Sequence, residues 1–149
     1  MKVEILSIKV SKCYPLRHKM LRKGKPLETC HFDGDNSKGT FHLGALIDKE
    51  IIGIISVYEK DLTQFENSKG AQFRGIAVAS KYQRKGVASK LINYAQKETI
   101  KRINPKYIWL NGRISANNLY LDRGFKPIGN PFEINTIGIH QRFIKMTSG

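Results

Sequence analysis

The chain has 149 residues, 40% hydrophobic and 26% charged, the size and balance of one globular domain over 1–149 with a single core, and too short for a second. Lys and Arg number 26 against 12 Asp and Glu, a net charge of +14 that implies an anionic partner: nucleic acid, an acidic substrate, or the phosphates of a nucleotide cofactor. No apolar run reaches the roughly 18 residues of a membrane span and the N-terminus lacks signal-peptide order, which predicts a soluble, cytoplasmic protein without membrane partners.

Val3, Ile5, Ile8 and Val10 stand among polar neighbours in near-alternation, predicting a strand over 3–10 with one imperfect step. Pro15 suits the first turn of a short basic helix through Arg22. No acidic residue occurs between Ile5 and Leu27, while Lys9, Lys12, Arg17, Lys19, Arg22, Lys23 and Lys25 are basic. The Gly, Asp, Asn and Ser content of 26–40 reads as loop, and 41–47 and 51–58 read as a hairpin joined by Asp48-Lys49-Glu50. Phe73–Val78 is the next strand. Ala88, Leu91, Ile92, Ala95 and Thr99 then mark the buried face of a helix from about 86 to 102, stopped by Asn104-Pro105. Tyr107–Asn111 follows as a strand, Ser115 is placed to cap a helix through Asp122, Gly124 to close it in a left-handed cap, and 125–128 and 142–146 to form strands. The order is α+β, with a mixed, largely antiparallel central sheet flanked by helices.

The chemistry concentrates at Gln83-Arg84-Lys85-Gly86-Val87-Ala88, between a strand and the amphipathic helix. A turn at a helix start offers unpaired N–H groups and the positive end of the helix dipole, a cradle for a pyrophosphate. Gly86 permits close backbone approach, Ala88 adds little bulk, and Arg84 and Lys85 supply charge-assisted contacts. Cys13 and Cys30 have no C-x-x-C spacing, and His18, His31, His42 and His140 have no metal-ligand spacing, so no metal is expected. A G-x-S-x-G nucleophile elbow is also missing.

The 83–88 stretch resembles the Q/R-x-x-G-x-G/A coenzyme A signature of the GNAT acetyltransferase superfamily, and 74–78 resembles the strand before it. Downstream, Asn117 to Phe125 resembles the family's closing helix, with Tyr120 ahead of Gly124-Phe125; the loop 32–35 and the segment 137–140 are similar to an ElaA-like branch. The resemblance implies a splayed central strand pair holding acetyl-CoA as cosubstrate, with Ile76, Ala77 and Val78 along the pantetheine arm. It also implies a backbone N–H near Val78 facing the thioester oxygen, and Tyr120 as the acid that protonates the leaving thiolate. On reference values of about 10 and about 8.5, that transfer is uphill by roughly 2 kcal/mol. Where many relatives carry an asparagine seven residues before the tyrosine, this chain has Arg113, so Asn111 and Asn117 become candidates for that cofactor contact.

A protonated amine must also lose a proton before attack, and Glu28 and His140 are the leading candidates for base, ahead of Asp33 and Glu133. The expected activity is N-acetyl transfer to a small-molecule or peptide amine, with dimers frequent in the superfamily. The alternative is a basic module on the same fold that binds RNA or another polyanion.

Overall fold

The computed structural model describes residues 2–65, 67–135 and 137–147. Its strands are β1 (Glu4–Ile8), β2 (Phe41–Ile47), β3 (Glu50–Glu59), β4 (Gly70–Val78), β5 (Tyr107–Arg113), β6 (Lys126–Pro127), β7 (Phe132–Ile134) and β8 (Gly138–Met146). They form one sheet in the order β1-β2-β3-β4-β5-β8-β6, with β7 also pairing to β8. Among the described residues only the β4–β5 pair is parallel, and a parallel pair needs a crossover, here helix α2 (Val87–Arg102). Two shorter helices, α1 (Tyr14–Leu16) and α3 (Asn117–Leu121), complete the α+β architecture.

Alternation along β3 sets the two faces. Ile55 and Val57 pack in the main core with Leu91, Ile92 and Ala95 of α2, and Gly53 lies so close to Leu91 and Val87 that a methyl there would meet both at about 3 Å. Ser56 and Tyr58 point the other way, toward the segment that begins with α1. A second cluster on that face joins Cys13, Leu16, Ile54 and Ala77.

Several boundaries differ from the sequence reading. The first strand ends at Ile8, and Val10–Lys12 turns as a 3-10 helix. The basic helix is a single α turn followed by a π-helical turn, Arg17–Leu21, in which Arg22 N–H donates to Arg17 O. The β2–β3 connection is the two residues Asp48 and Lys49, both at positive φ, as a hairpin with right-handed strand twist requires. Ser115 does not cap α3: it lies inside a 3-10 turn, Ile114–Ala116, and Ala116 occupies the cap position with no side-chain bond. Gly124 adopts φ +91° after α3, the expected left-handed close.

Candidate active site

Two neighbouring strands part company in the middle of the sheet. β4 and β5 pair from Gly70–Tyr107 to Phe73–Leu110 and no further, although both strands continue. On its other side β4 carries a bulge: Ser56 pairs with Arg74 and Ile54 with Ala77, leaving Gly75 and Ile76 opposite the single residue Ile55. Gly75 has φ +67°, the left-handed geometry of a glycine bulge, and such a bulge bends and twists the strand that holds it. The bend carries Ile76, Ala77 and Val78 away from β5 and opens a cleft of about 370 Å³, within the range of small-molecule sites.

On the open side a backbone donor is left without a strand partner. Ala79 N–H donates to Ile52 O on the β3 side. Successive amides of an extended strand point in opposite directions, so the Val78 N–H faces the gap where β5 has departed. Gln83, which also lines the cleft, donates from Nε2 to Val78 O at 3.0 Å and ties the end of β4 to the following turn.

That turn delivers a second set of amides. Arg84 has φ +60° and Gly86 φ +81°, and α2 begins at Val87 with no side-chain cap. Its first helical bond is Lys90 N–H to Gly86 O. Hence the amides of Arg84, Lys85, Gly86, Val87, Ala88 and Ser89 have no acceptor among the described residues. A Cβ on Gly86 would meet nothing within 4 Å, so packing does not require this glycine; the backbone conformation and the open space above it do. Arg84 and Lys85 are exposed beside it. Arg123, at the end of α3, donates to Ser89 Oγ in the first turn of α2 at 2.8 Å and adds a charge that the sequence reading did not foresee. Together these groups fit a pyrophosphate by chemistry and by space.

Tyr120 is brought to the cleft by α3 and is 6% exposed, with its ring against Phe125 and Phe143. The ring lies so close over Gly112 that a Cβ there would collide with it, so a glycine on β5 is what seats the tyrosine. Burial pushes the phenol up to about 12, against a small opposing effect of Arg113, and it has no hydrogen-bond partner among the described residues.

His140 also lines the cleft. Its Nδ1 lies 2.9 Å from Gly138 O; a carbonyl only accepts, so Nδ1 carries the proton and Nε2 is the basic nitrogen. Asn111 lines the cleft but accepts a bond from Arg142 Nε at 2.9 Å. Asn117, at the start of α3, has a buried Oδ1 without a partner. Glu28 sits exposed on the 3-10 turn Leu27–Cys30 and does not line the cleft.

One side of the cleft rests on a buried polar network. Arg17 is fully buried and donates to both oxygens of Asp35, at 2.7 and 3.0 Å, and to Cys30 O, Ser56 Oγ and Tyr58 Oη. Tyr58 Oη donates to Asp35 at 2.6 Å, and Asp35 also accepts from the Phe32 amide, so the loop is pinned from below. Burial alone would raise the Asp35 pKa, but the bonds from Arg17, Tyr58 and Phe32 outweigh it and hold the carboxyl below its ordinary value. Phe32, thus fixed, presents its ring to the cleft.

Residues 26–147 match the model of the acetyltransferase (GNAT) domain. A relative from Bacillus subtilis (strain 168), the uncharacterized N-acetyltransferase YitI, is 30% identical over 138 residues, covering 93% of this chain and 92% of that protein. The crystal structure of Escherichia coli ElaA aligns with TM-score 0.78 at 13% identity, over 97% of this chain and 99% of that one. Arabidopsis thaliana NAA60, crystallised with acetyl-CoA, aligns with TM-score 0.76 at 13% identity, over 99% and 100% of the two chains. At such identities these two structures share the fold.

Proposed function

The chain belongs to the GNAT family of acetyltransferases, and from that premise we propose that it transfers an acetyl group from acetyl-CoA to an amine by direct attack, with no covalent enzyme intermediate. The observation that carries this reading is two sets of free backbone donors, the Val78 amide in the splay and the amides of Arg84–Ser89 at the start of α2, joined by a turn whose Ala79, Tyr82 and Gln83 amides are bonded within the protein. The second group binds the pyrophosphate of the cosubstrate, and the first lies where the thioester end would sit.

In the transfer, the N–C bond forms as the C–S bond breaks. Negative charge gathers on the thioester oxygen only at the transition state, and the fixed Val78 N–H stabilises it there. The amine gives up one proton, for which His140 Nε2 is the better placed acceptor, since Glu28 stands outside the cleft. Tyr120 faces the departing thiolate. With its phenol at about 12 against a reference thiol of about 8.5, complete proton transfer is uphill by about 5 kcal/mol, more than the reference values imply. Tyr120 therefore remains O–H at neutral pH and acts first as a hydrogen-bond donor to sulfur; the proton it passes is made good by the one the amine gives up, so that the products are the amide, CoA–SH and neutral Tyr120.

The Tyr120→Phe variant tests this role. It keeps the ring and its packing, and is expected to lower kcat by about 10²–10⁴ while acetyl-CoA affinity stays within a few-fold. A kcat equal to that of the parent protein would remove Tyr120 from the chemistry.

A further inference from the structure

Three of the side chains lining the cleft are arginines, each from a different element: Arg22 follows the π-helical turn, Arg74 lies on β4 and Arg113 ends β5. Among the described residues, no Asp or Glu lines the cleft. The Arg22 and Arg74 guanidiniums stand 5.2 and 4.6 Å from the centroid of one ring, Phe32. Arg17, 4.0 Å from the same ring, has its charge answered by Asp35. Arg22, Arg74 and Arg113 have no ion pair among the described residues. They are near enough to feel one another: burial first, then the charge of Arg74, with smaller effects of Arg113 and Arg17 against the opposing effect of Cys30, holds the Arg22 pKa below its ordinary value.

Convergent, unpaired positive charge in a partly desolvated cleft is unfavourable unless an anion joins it. The phosphates of the cosubstrate are not well placed to be that anion. Arg74 precedes Val78 by four residues on the side of β4 away from α2, roughly 10–13 Å back along the strand, and the turn at α2 has its own donors in the 84–89 amides, Arg84 and Lys85. A cationic acceptor such as a polyamine would meet three like charges and, among the described residues, no carboxylate.

On the transferase reading above, we propose that the acceptor is an amine bearing a nearby anionic group, a carboxylate or a phosphate, which Arg22, Arg74 and Arg113 grip while its nitrogen is presented to the thioester. Guanidinium forks match both anions by bidentate hydrogen bonds. The same positive field favours the neutral over the protonated amine, so the groups that bind the anion also ease formation of the nucleophile. Phe32 supplies an apolar ring near which the Arg22 and Arg74 guanidiniums are held.

Matched pairs test the inference: alanine against alaninamide, phosphoethanolamine against ethanolamine, and spermidine as the cationic arm. Each is titrated calorimetrically onto the CoA-loaded protein and, in parallel, assayed for acetyl transfer by thiol release. The anionic member of at least one pair is expected to bind and react ten- to a hundredfold better than its neutral partner, and spermidine not to compete. The two pairs separate carboxylate from phosphate. Arg74→Gln and the exposed Arg113→Gln, checked for folding by thermal melting, are expected to narrow that ratio through KM. Equal use of both members, no saturable binding of either, or a preference for spermidine would overturn the inference while leaving acetyl-CoA binding, and so the transferase reading, intact. Absence of acetyl-CoA binding would instead overturn the transferase reading, and the same pair titrations on the ligand-free protein would still measure the selectivity of the arginine cluster.

Discussion

Arg17 and Asp35 show how a residue outside the chemistry can govern it. The pair is buried, bidentate and shared with Ser56, Tyr58 and the Phe32 amide, so removal of one partner strands the other charge in the interior. Asp35→Asn is expected to cost about 3–5 kcal/mol in denaturant unfolding at neutral pH. The sign with pH follows from the depressed native pKa: the stabilisation is fully present above the unfolded-state value near 3.8 and is lost as pH falls below it. The parent protein should therefore lose stability steeply below about pH 4, and the variant less steeply; parallel pH profiles would show that the pair contributes nothing. None of this was legible in the sequence, where the two residues stand 18 positions apart and Asp35 reads as one more loop acid. The 83–88 turn was legible because its donors and its glycine are contiguous and the helix after it has strong periodicity. The arginine wall was not, because Arg22, Arg74 and Arg113 meet only through the fold.

At the scale of elements, the bulge in β4 is the device that makes a cleft out of a sheet. Gly75 is required twice, by its φ of +67° and by the Phe32 ring, which a Cβ would meet at 3.2 Å. Gly75→Ala is expected to destabilise the protein by about 1–2 kcal/mol and to weaken acetyl-CoA binding, as the strand straightens or Phe32 is displaced. Unchanged melting and unchanged affinity would mean that the splay does not depend on the bulge. The sequence located β4 but began it at Phe73; Ala71 and Gln72 pair on both sides, and a doubly paired, buried segment shows no alternation to mark its start. Helix α2 was read almost to the residue, with Val87 taking the buried place expected of Ala88. The short β7 was missed, since three residues beside a turn carry too little pattern.

For the whole molecule, charge and topology point to the same arrangement. The sheet is antiparallel except where α2 crosses over, and that crossover brings the strand splay and a helix N-terminus together at one end of the cleft. The net charge of +14 called for an anion without naming one; the fold sets part of it, Arg84 and Lys85, beside the free amides at the start of α2, and part, Arg22, Arg74 and Arg113 without an ion pair among the described residues, in the cleft wall. Among the described residues, no helix is long and apolar enough to cross a membrane and no group of side chains could hold a metal. On the proposed function, the turn before α2 holds the pyrophosphate of acetyl-CoA. The most direct test is calorimetric titration of acetyl-CoA onto the parent protein, Gly86→Glu, and Gly129→Glu as a control with similar backbone strain and the same added charge outside the cleft. Saturable binding by the parent and the control, weakened at least about a hundredfold in a folded Gly86→Glu, is the predicted result. Equal binding by all three, or none by the parent, would contradict it.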